Sequence, residues 1–144
     1  NNIAFASIIS AAWKLNESIP VHVVNNLKKL SGNLFGKKIA VLGIAFKKGS
    51  DDLRNSPSVK LVDILKTTGA QIHIHDPHVK NTEALEQVLI SPDIVIIATN
   101  HKEFNNIKEQ IKNSHPKLIY DVWGLFSQND FPNSKYIKFG QGIE

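Results

Sequence analysis

Apolar residues in the first thirty positions recur at helical spacing. The period runs first through residues 3–15, and a second segment begins at Pro20, because proline favours the first turn of a helix. The apolar positions that follow are Val21, Val24, Leu27 and Leu30, and Ser31-Gly32-Asn33 ends the pattern. We therefore predict two helices. Since two such helices cannot close a core alone, they should pack on sequence outside this chain or on a second subunit, and we expect Trp13, Leu15, Val24 and Leu27 to lie at a subunit contact.

From Lys37 onward the pattern alternates between strands and helices. The predicted strands are residues 39–42, 71–75, 93–98, 117–120 and 136–139, and the predicted helices are residues 57–68, 82–89 and 104–111. Ser56 is a good N-cap for the first of these helices, and Pro57 a good first helical residue. Strands separated by short helices predict an α/β fold with a doubly wound, mostly parallel sheet. The change of pattern predicts a boundary between residues 1–35 and residues 36–144.

Composition excludes several classes of protein. The chain has 144 residues, of which 42% are hydrophobic and 21% charged, an ordinary globular balance. Cysteine is absent, which excludes disulfides, thiolate metal sites and a cysteine nucleophile within these residues. No apolar run reaches the roughly 18–20 residues that span a bilayer. Methionine is also absent, so we expect the chain to be a piece of a longer protein, and its opening segment, which lies inside a predicted helix and has no charged n-region, is not expected to be a signal peptide.

The charge pattern favours small anions over nucleic acids. The net charge is +4, with 17 basic and 13 acidic residues, and Arg54 is the only arginine. The lysines are scattered along the chain without interleaved aromatic residues, whereas nucleic-acid-binding proteins usually cluster their basic residues. We therefore expect no nucleic-acid partner.

The segment that leaves the first predicted strand is unusually long. Connections in α/β units usually run to about 2–6 residues, whereas this one spans residues 43–56. Lys47, Lys48 and Arg54 supply positive charge, and the helix that begins at Pro57 aims backbone N–H groups in the same direction. An anion site is one interpretation. The other is a solvated loop in which Asp51 and Asp52 neutralise these cations.

Two further groups of side chains allow alternative interpretations. Asp76 ends the second predicted strand, where it imitates the ribose-binding acid of dinucleotide-binding domains, or is a turn residue before Pro77. The segment after Gly43 does not match Gly-x-Gly-x-x-Gly, which disfavours a dinucleotide site. His73, His75 and His78 suggest a metal site, but without cysteine or a second carboxylate cluster we predict none.

The residues around this long segment resemble a known family. Residues 38–47 (KIAVLGIAFK) and 51–57 (DDLRNSP) are similar to the C-terminal domain of the UDP-glucose/GDP-mannose dehydrogenase family, in which a strand precedes Gly-x-Ala-Phe-Lys and then Asp-Asp-x-Arg-x-Ser-Pro. Gly69-Ala70 and His75-Asp76-Pro77 also agree in register. Residues 1–31, with Asn16 and Pro20, are similar to the end of the family's central dimerising helices. The resemblance implies a Rossmann-like nucleotide-sugar-binding domain over residues 36–144 and a homodimer formed through residues 1–31.

The resemblance also implies an activity. Family members oxidise the C6 alcohol of a nucleotide sugar to a carboxylate, using two NAD⁺ and a catalytic cysteine. Since the cysteine segment and the NAD domain are expected upstream, residues 1–144 would hold no catalytic residue and would be inactive alone. UDP-linked glucose or N-acetylated hexosamines are the expected substrates, in a cytoplasmic enzyme without a membrane partner.

The same resemblance assigns roles to three residues, and a departure from the family pattern leaves two alternatives for a fourth. Phe46 and Lys47 would contact the nucleotide of the substrate, and Arg54 would reach NAD at the domain interface. Many family members carry an arginine shortly after the aspartate at the end of the fourth strand. Here Asp121 is followed by Val122-Trp123-Gly124, so Trp123 would either stack on the base or be a structural core residue.

A non-enzymatic alternative stays open. A free-standing Rossmann-like module that binds a nucleotide as a sensor or regulatory subunit would share the predicted fold. The upstream coding sequence discriminates between the two hypotheses, because the enzyme requires a Gly-x-Gly-x-x-Gly unit and a cysteine segment.

Overall fold

The computed structural model describes residues 2–143 and contains one five-stranded, all-parallel sheet in the order β2-β1-β3-β4-β5. The strands are β1 (Lys38–Leu42), β2 (Gln71–His75), β3 (Ile94–Ile97), β4 (Leu118–Asp121) and β5 (Lys135–Lys138). The α-helices are α1 (Asn2–Ser31), α2 (Pro57–Thr67), α3 (Leu85–Val88) and α4 (Lys108–Asn113), with 3₁₀ helices at Lys102–Asn106 and Gln128–Asp130. The predicted α/β class is confirmed.

Successive strand residues enter two separate cores, one on each face of the sheet. Ile39 and Val41 join the core formed with α1 and α2, whereas Ala40 and Leu42 join the core formed with α3 and α4. This alternation follows from the strand period of two, and burial on both faces explains why the strands read as continuous apolar runs. The strand order reverses direction between β1 and β3, so their carboxyl ends form the crevice where α/β proteins commonly bind ligands.

Two predicted helices differ from the observed ones. Residues 82–84 precede α3 in a non-helical conformation because Glu83 bonds to the edge strand β2: its N–H donates to the Ile74 carbonyl, and its carboxylate accepts from the Ile74 N–H. The predicted helix 104–111 is divided at Ile107 into a 3₁₀ helix and α4. Asn105 and Asn106 fall at this division, and asparagine competes with the helical backbone for hydrogen bonds.

The two helices predicted before β1 are one helix. Both predicted segments are helical, but α1 continues through Pro20, so the predicted break there is wrong. Proline removes one backbone hydrogen bond and has a φ that suits a helix. Because Pro20 is buried and the next turns pack against the sheet, tertiary contacts compensate for that lost bond.

The second half of α1 belongs to the core of this chain. Val24 and Leu27 are buried against the sheet, so the prediction that they lie at a subunit contact is wrong. Asn26 is also buried and donates from Nδ2 to the Tyr120 hydroxyl at 2.9 Å, which fastens α1 to β4. The side chains of Leu15 and Asn16 lie outside the described residues.

The first half of α1 carries exposed apolar side chains. They are Ile3, Phe5, Ile8, Ile9 and Trp13. Trp13 also lies near α2, with the Lys60 ammonium 5.9 Å from its ring centroid. No helix among residues 2–143 is both long and apolar enough to span a membrane.

Candidate functional site

The β1–α2 loop (residues 43–56) leaves the carboxyl end of β1 beside the end of β3. Gly43 has a φ of +91°, and a Cβ added there would lie 2.4 Å from Thr99 Cβ. Only glycine allows the two strand ends to come this close. Thr99 then fixes the start of the loop, since its hydroxyl donates to the Ala45 carbonyl at 3.0 Å.

Asp76, the residue that follows β2, holds the same end of the loop. Its Oδ2 accepts the N–H groups of Ile44 at 2.8 Å and Ala45 at 3.1 Å, and its Oδ1 accepts the N–H of His78 at 2.9 Å. Burial alone would raise the pKa of Asp76, but these N–H donors and His101 outweigh it, so its pKa lies below the ordinary value. Both carboxylate oxygens of Asp76 therefore already accept hydrogen bonds from within this chain, which favours the turn interpretation over ribose binding.

His101 is a buried residue of this site that the sequence reasoning missed. Its Nε2 lies 2.9 Å from Asp76 Oδ2, and its Nδ1 accepts the N–H of Gly49 at 2.9 Å. The side chain has no solvent exposure, and neither has that of Asp76. The available signal was its position, because polar residues just after a parallel strand lie at the ligand-binding edge of the sheet.

The end of the β1–α2 loop differs from the predicted cap. Ser56 directly precedes α2, but its hydroxyl makes no capping hydrogen bond and donates instead to the Ile44 carbonyl at 2.6 Å. The predicted N-cap role of its side chain is therefore wrong. The hydroxyl closes the loop by joining its last residue to its second, so both ends are fixed together.

Phe46 and Lys47 follow this fixed start and lie at the surface. The Phe46 N–H donates to the Asp52 carbonyl at 2.8 Å, and the residue is 44% exposed. The Lys47 ammonium lies 5.9 Å from the Phe46 ring centroid. Lys47 and Lys48 are both exposed, and of the two it is Lys47 whose ammonium lies near the Phe46 ring.

Trp123 lies on the same crevice as Phe46. We call it the apolar crevice; it has a volume of about 240 Å³ and is lined by Ile19, Pro20, Val23, Phe46, Pro57, Ser58, Leu61, Ala98, Val122 and Trp123. The indole Nε1 donates to the Ala98 carbonyl at 3.1 Å, which sets the ring orientation. Since Trp123 is 51% exposed, the alternative of a core tryptophan is wrong.

Asp121 shapes the segment that presents Trp123. Its buried carboxylate accepts the N–H groups of Trp123 at 3.1 Å, Gly124 at 2.8 Å and Phe126 at 3.1 Å, and the hydroxyl of Tyr136 at 2.7 Å. Burial and the negative charge of Asp121 raise the pKa of Tyr136. Tyr136 therefore stays a neutral donor, and the backbone carrying Trp123 is held from within the sheet.

Arg54 is paired within the loop. Its Nε lies 3.0 Å from Asp52 Oδ1 and its Nη2 2.9 Å from Asp52 Oδ2, while 88% of its side chain is exposed. The hydrogen bond from the guanidinium lowers the pKa of Asp52 to about 2. The structure thus brings Arg54 to Asp52, one of the two acidic partners named from the sequence. Asp51 is exposed.

The three histidines near β2 do not converge on one point. His73 Nδ1 lies 2.9 Å from Glu83 Oε2, and His75 Nδ1 lies 2.8 Å from the Glu83 carbonyl oxygen. Among the described residues, His78, His101 and Glu103 place one ligand atom each within 4.8 Å of one another. Both ring nitrogens of His101 already have hydrogen-bond partners, and His78 Nε2 and Glu103 Oε1 lie 2.9 Å apart as an ion pair, so the cluster is satisfied without a cation.

The residues described above fall in a part of the chain that matches a known family. The model of the UDP binding domain of the UDP-glucose/GDP-mannose dehydrogenase family matches residues 40–128. The chain is 36% identical over 121 residues to UDP-N-acetyl-D-mannosamine dehydrogenase from Pyrococcus horikoshii, covering 79% of this chain and 29% of that protein. It is 34% identical over 117 residues to UDP-glucose 6-dehydrogenase from Rickettsia felis, covering 72% of this chain and 26% of that protein.

Solved structures of nucleotide-sugar dehydrogenases also match this chain. The UDP-N-acetyl-mannosamine dehydrogenase from Staphylococcus aureus matches with a TM-score of 0.80 at 26% identity, over 97% of this chain and 34% of that one. The UDP-D-ManNAc dehydrogenase from Pyrococcus horikoshii matches with a TM-score of 0.76 at 31% identity, over 88% of this chain and 32% of that one. The chain therefore spans about a third of the length of these proteins.

Proposed function

The chain belongs to the UDP-glucose/GDP-mannose dehydrogenase family, and from this membership we propose that it binds the nucleotide of a UDP-linked sugar within a longer NAD-dependent 6-dehydrogenase. The relatives named above act on UDP-N-acetyl-D-mannosamine or UDP-glucose, which supports glucose or an N-acetylated hexosamine as the sugar. The longer protein would oxidise C6 to the carboxylate. Its cytoplasmic location stays a prediction.

The observation that carries this proposal is the meeting of Phe46 and Trp123 at the apolar crevice, with the Lys47 ammonium 5.9 Å from the Phe46 ring centroid. The crevice lies at the carboxyl edge of the sheet, where the strand order reverses, which is the usual ligand position in α/β folds. Aromatic walls suit a planar base, and an ammonium group beside one of these walls suits a diphosphate. A nucleoside diphosphate presents both groups to this site.

Trp123 would supply the stacking surface for the base. Its ring plane is held by the hydrogen bond to the Ala98 carbonyl, so stacking would cost little side-chain entropy. Phe46 lines the same crevice and is also partly exposed. We propose that the two rings together replace the contact that many family members make with an arginine after the fourth strand.

Arg54 would serve NAD. When bound, NAD⁺ accepts the hydride from the sugar. The residues present fit such a group in one respect: the guanidinium has five N–H donors, its pairing with Asp52 uses two of them, and most of the side chain is exposed. The remaining donors match two phosphate oxygens, a geometry that lysine cannot reproduce.

Residues 1–35 and 36–144 would play different parts in the longer protein. We propose that the first segment is the end of a central helical domain and that its exposed apolar residues contact a second subunit, giving a homodimer. Support comes from Ile3, Ile8 and Trp13, which are more than half exposed on the first half of α1. The second segment would be the nucleotide-sugar-binding domain.

The test uses the complete protein with its upstream sequence. Calorimetry should show UDP binding, and incubation with NAD⁺ and UDP-N-acetylmannosamine or UDP-glucose should produce NADH. Residues 1–144 alone should produce none, since they contain no cysteine. UDP binding without NADH production by the complete protein would support the sensor alternative, and absence of UDP binding would reject both.

A further inference from the structure

The two ends of the β1–α2 loop are held more firmly than its middle. Asp76, Thr99 and Ser56 all bond to residues 44 and 45. The loop tip, which we define as residues 46–50, carries the two side chains that are proposed to meet the substrate. Among the described residues, His101 is the one side chain from outside the loop that hydrogen-bonds the tip, through the N–H of Gly49.

We propose that His101 is a positioning residue that holds the loop tip, and with it Phe46 and Lys47, in the conformation that receives the nucleotide. This inference rests on the proposed function for its effect on substrate. Its structural part, the restraint of Gly49, does not depend on which ligand binds.

The hydrogen-bond partners of His101 determine its tautomer. A backbone N–H can only donate, so Nδ1 must present its lone pair to Gly49, and the ring proton lies on Nε2. From there it is donated to the Asp76 carboxylate at 2.9 Å. Asp76 therefore fixes which nitrogen can accept, in the manner by which a partner group generally sets a histidine tautomer.

Packing fixes the plane of the same ring. The His78 ring centroid lies 4.7 Å away, and the Phe104 ring meets His101 edge-on at 5.6 Å. The side chain is fully buried, so water does not compete for either nitrogen. A hydrogen bond in such a site restrains its partner more than one at the surface does.

Gly49 transmits this restraint to Lys47. Gly49 has a φ of +71°, which favours glycine, and the next N–H, of Ser50, donates to the Lys47 carbonyl at 3.2 Å. The tip is thus a tight turn that bonds to Asp52 within the loop and, in the part of the chain that the structure describes, has one hydrogen bond from outside the loop, that of His101. Loss of that bond would free the turn and spread the positions of the Lys47 ammonium.

Two substitutions separate the two nitrogens of His101. In His101→Asn the amide oxygen can occupy the place of Nδ1 and accept from Gly49, whereas in His101→Gln the amide group reaches the place of Nε2 and retains only the contact with Asp76. Lys102→Gln, at an exposed neighbouring position, is the control. All variants are made in the complete protein.

We expect His101→Gln to raise KM for the UDP-sugar about tenfold with kcat unchanged, corresponding to about 1.4 kcal/mol. His101→Asn should keep KM close to that of the unmodified protein. Equal increases in KM for both variants, or a fall in melting temperature without a change in KM, would overturn the proposal.

Hydrogen exchange of the Gly49 amide is the second readout. In the absence of substrate, its protection should be lost in His101→Gln and retained in His101→Asn and Lys102→Gln. Equal protection in all variants would overturn the positioning role. If the unmodified protein binds no UDP-sugar, the proposed function fails, while this exchange measurement still decides whether His101 holds the tip.

Discussion

The guanidinium of Arg54 makes a bidentate ion pair with the carboxylate of Asp52, with Nε and Nη2 each within 3.0 Å of a different oxygen. An exposed pair of this kind contributes little to stability, because water and salt screen it. Its effect is on orientation: the two bonds hold a flexible cation at one place on the loop surface. A cation held there is available to an anionic ligand through its other donors.

Under the proposed function, this arrangement leads to a prediction for Arg54→Lys in the complete protein. Lysine keeps the charge but loses the planar fork, so KM for NAD⁺ should rise about tenfold or more, since a lost charge-assisted contact costs on the order of 1.4 kcal/mol. KM for the UDP-sugar and the melting temperature should change little. Steady-state kinetics with each substrate varied in turn measures both constants. Normal NAD⁺ kinetics with a lowered melting temperature would leave Arg54 a structural ion-pair residue.

Lys47 and Lys48 provide a matched pair for the nucleotide contact. Both are exposed in the same loop, and the Lys47 ammonium lies 5.9 Å from the ring of Phe46, which lines the apolar crevice. A charge-assisted hydrogen bond is worth about 1.5–3 kcal/mol, so Lys47→Ala should weaken UDP binding by roughly 10- to 150-fold. Lys48→Ala should change it little. Calorimetry at matched salt decides the matter, and equal losses for the two variants would indicate diffuse electrostatics.

Several of these features can be predicted from sequence because they are local. The strands are short apolar runs with clear ends, and the β1–α2 loop is conspicuous by its length and charge. The contributions of His101 and Asp121 cannot be read in this way. Each depends on N–H groups that only the folded chain brings within reach, such as Gly49 for His101.

The course of α1 illustrates the same limit. Pro20 is a local signal for a helix start, and it predicts a break that the structure lacks. The burial of Val24 and Leu27 against the sheet overrides that signal, and no pattern within residues 1–35 could show which face the core would take. The sequence pattern therefore predicts a subunit contact for Val24 and Leu27, whereas the structure buries them in the core of this chain.

Trp123 gives a prediction about the base. Base–aromatic stacking is worth about 1–3 kcal/mol, so Trp123→Ala should weaken binding of UDP by roughly 5- to 150-fold. Trp123→Phe should retain most of the affinity, because it keeps an aromatic face. Inorganic pyrophosphate has no base, so its binding should be the same in all three proteins. If Trp123→Ala weakens the binding of pyrophosphate as much as the binding of UDP, Trp123 affects the phosphate site or the fold instead of the base.

Asp76 yields a prediction about acid stability. Its pKa is lower in the folded chain than in the unfolded one, since N–H donors and His101 stabilise the carboxylate. A carboxyl group shifted in this direction stabilises the folded state above its unfolded pKa of about 3.9, and the contribution is lost as the pH falls through the folded value. Stability should therefore fall with acid partly because Asp76 takes up a proton.

Asp76→Asn tests this in the complete protein. At pH 7 the variant should be less stable by about 1.5–3 kcal/mol, the usual worth of hydrogen bonds to a charged group. The difference should narrow as the pH is lowered below the ordinary aspartate pKa, because acid removes from the unmodified protein the same charge that the substitution removes. Urea unfolding at several pH values between neutral and acidic gives the free energy of unfolding of the variant and of the unmodified protein as a function of pH. Asp63→Asn, at an exposed position on α2, is the control. Its free energy of unfolding should depend on pH in the same way as that of the unmodified protein. Parallel curves for Asp76→Asn would mean that its carboxylate charge does not support the β1–α2 loop.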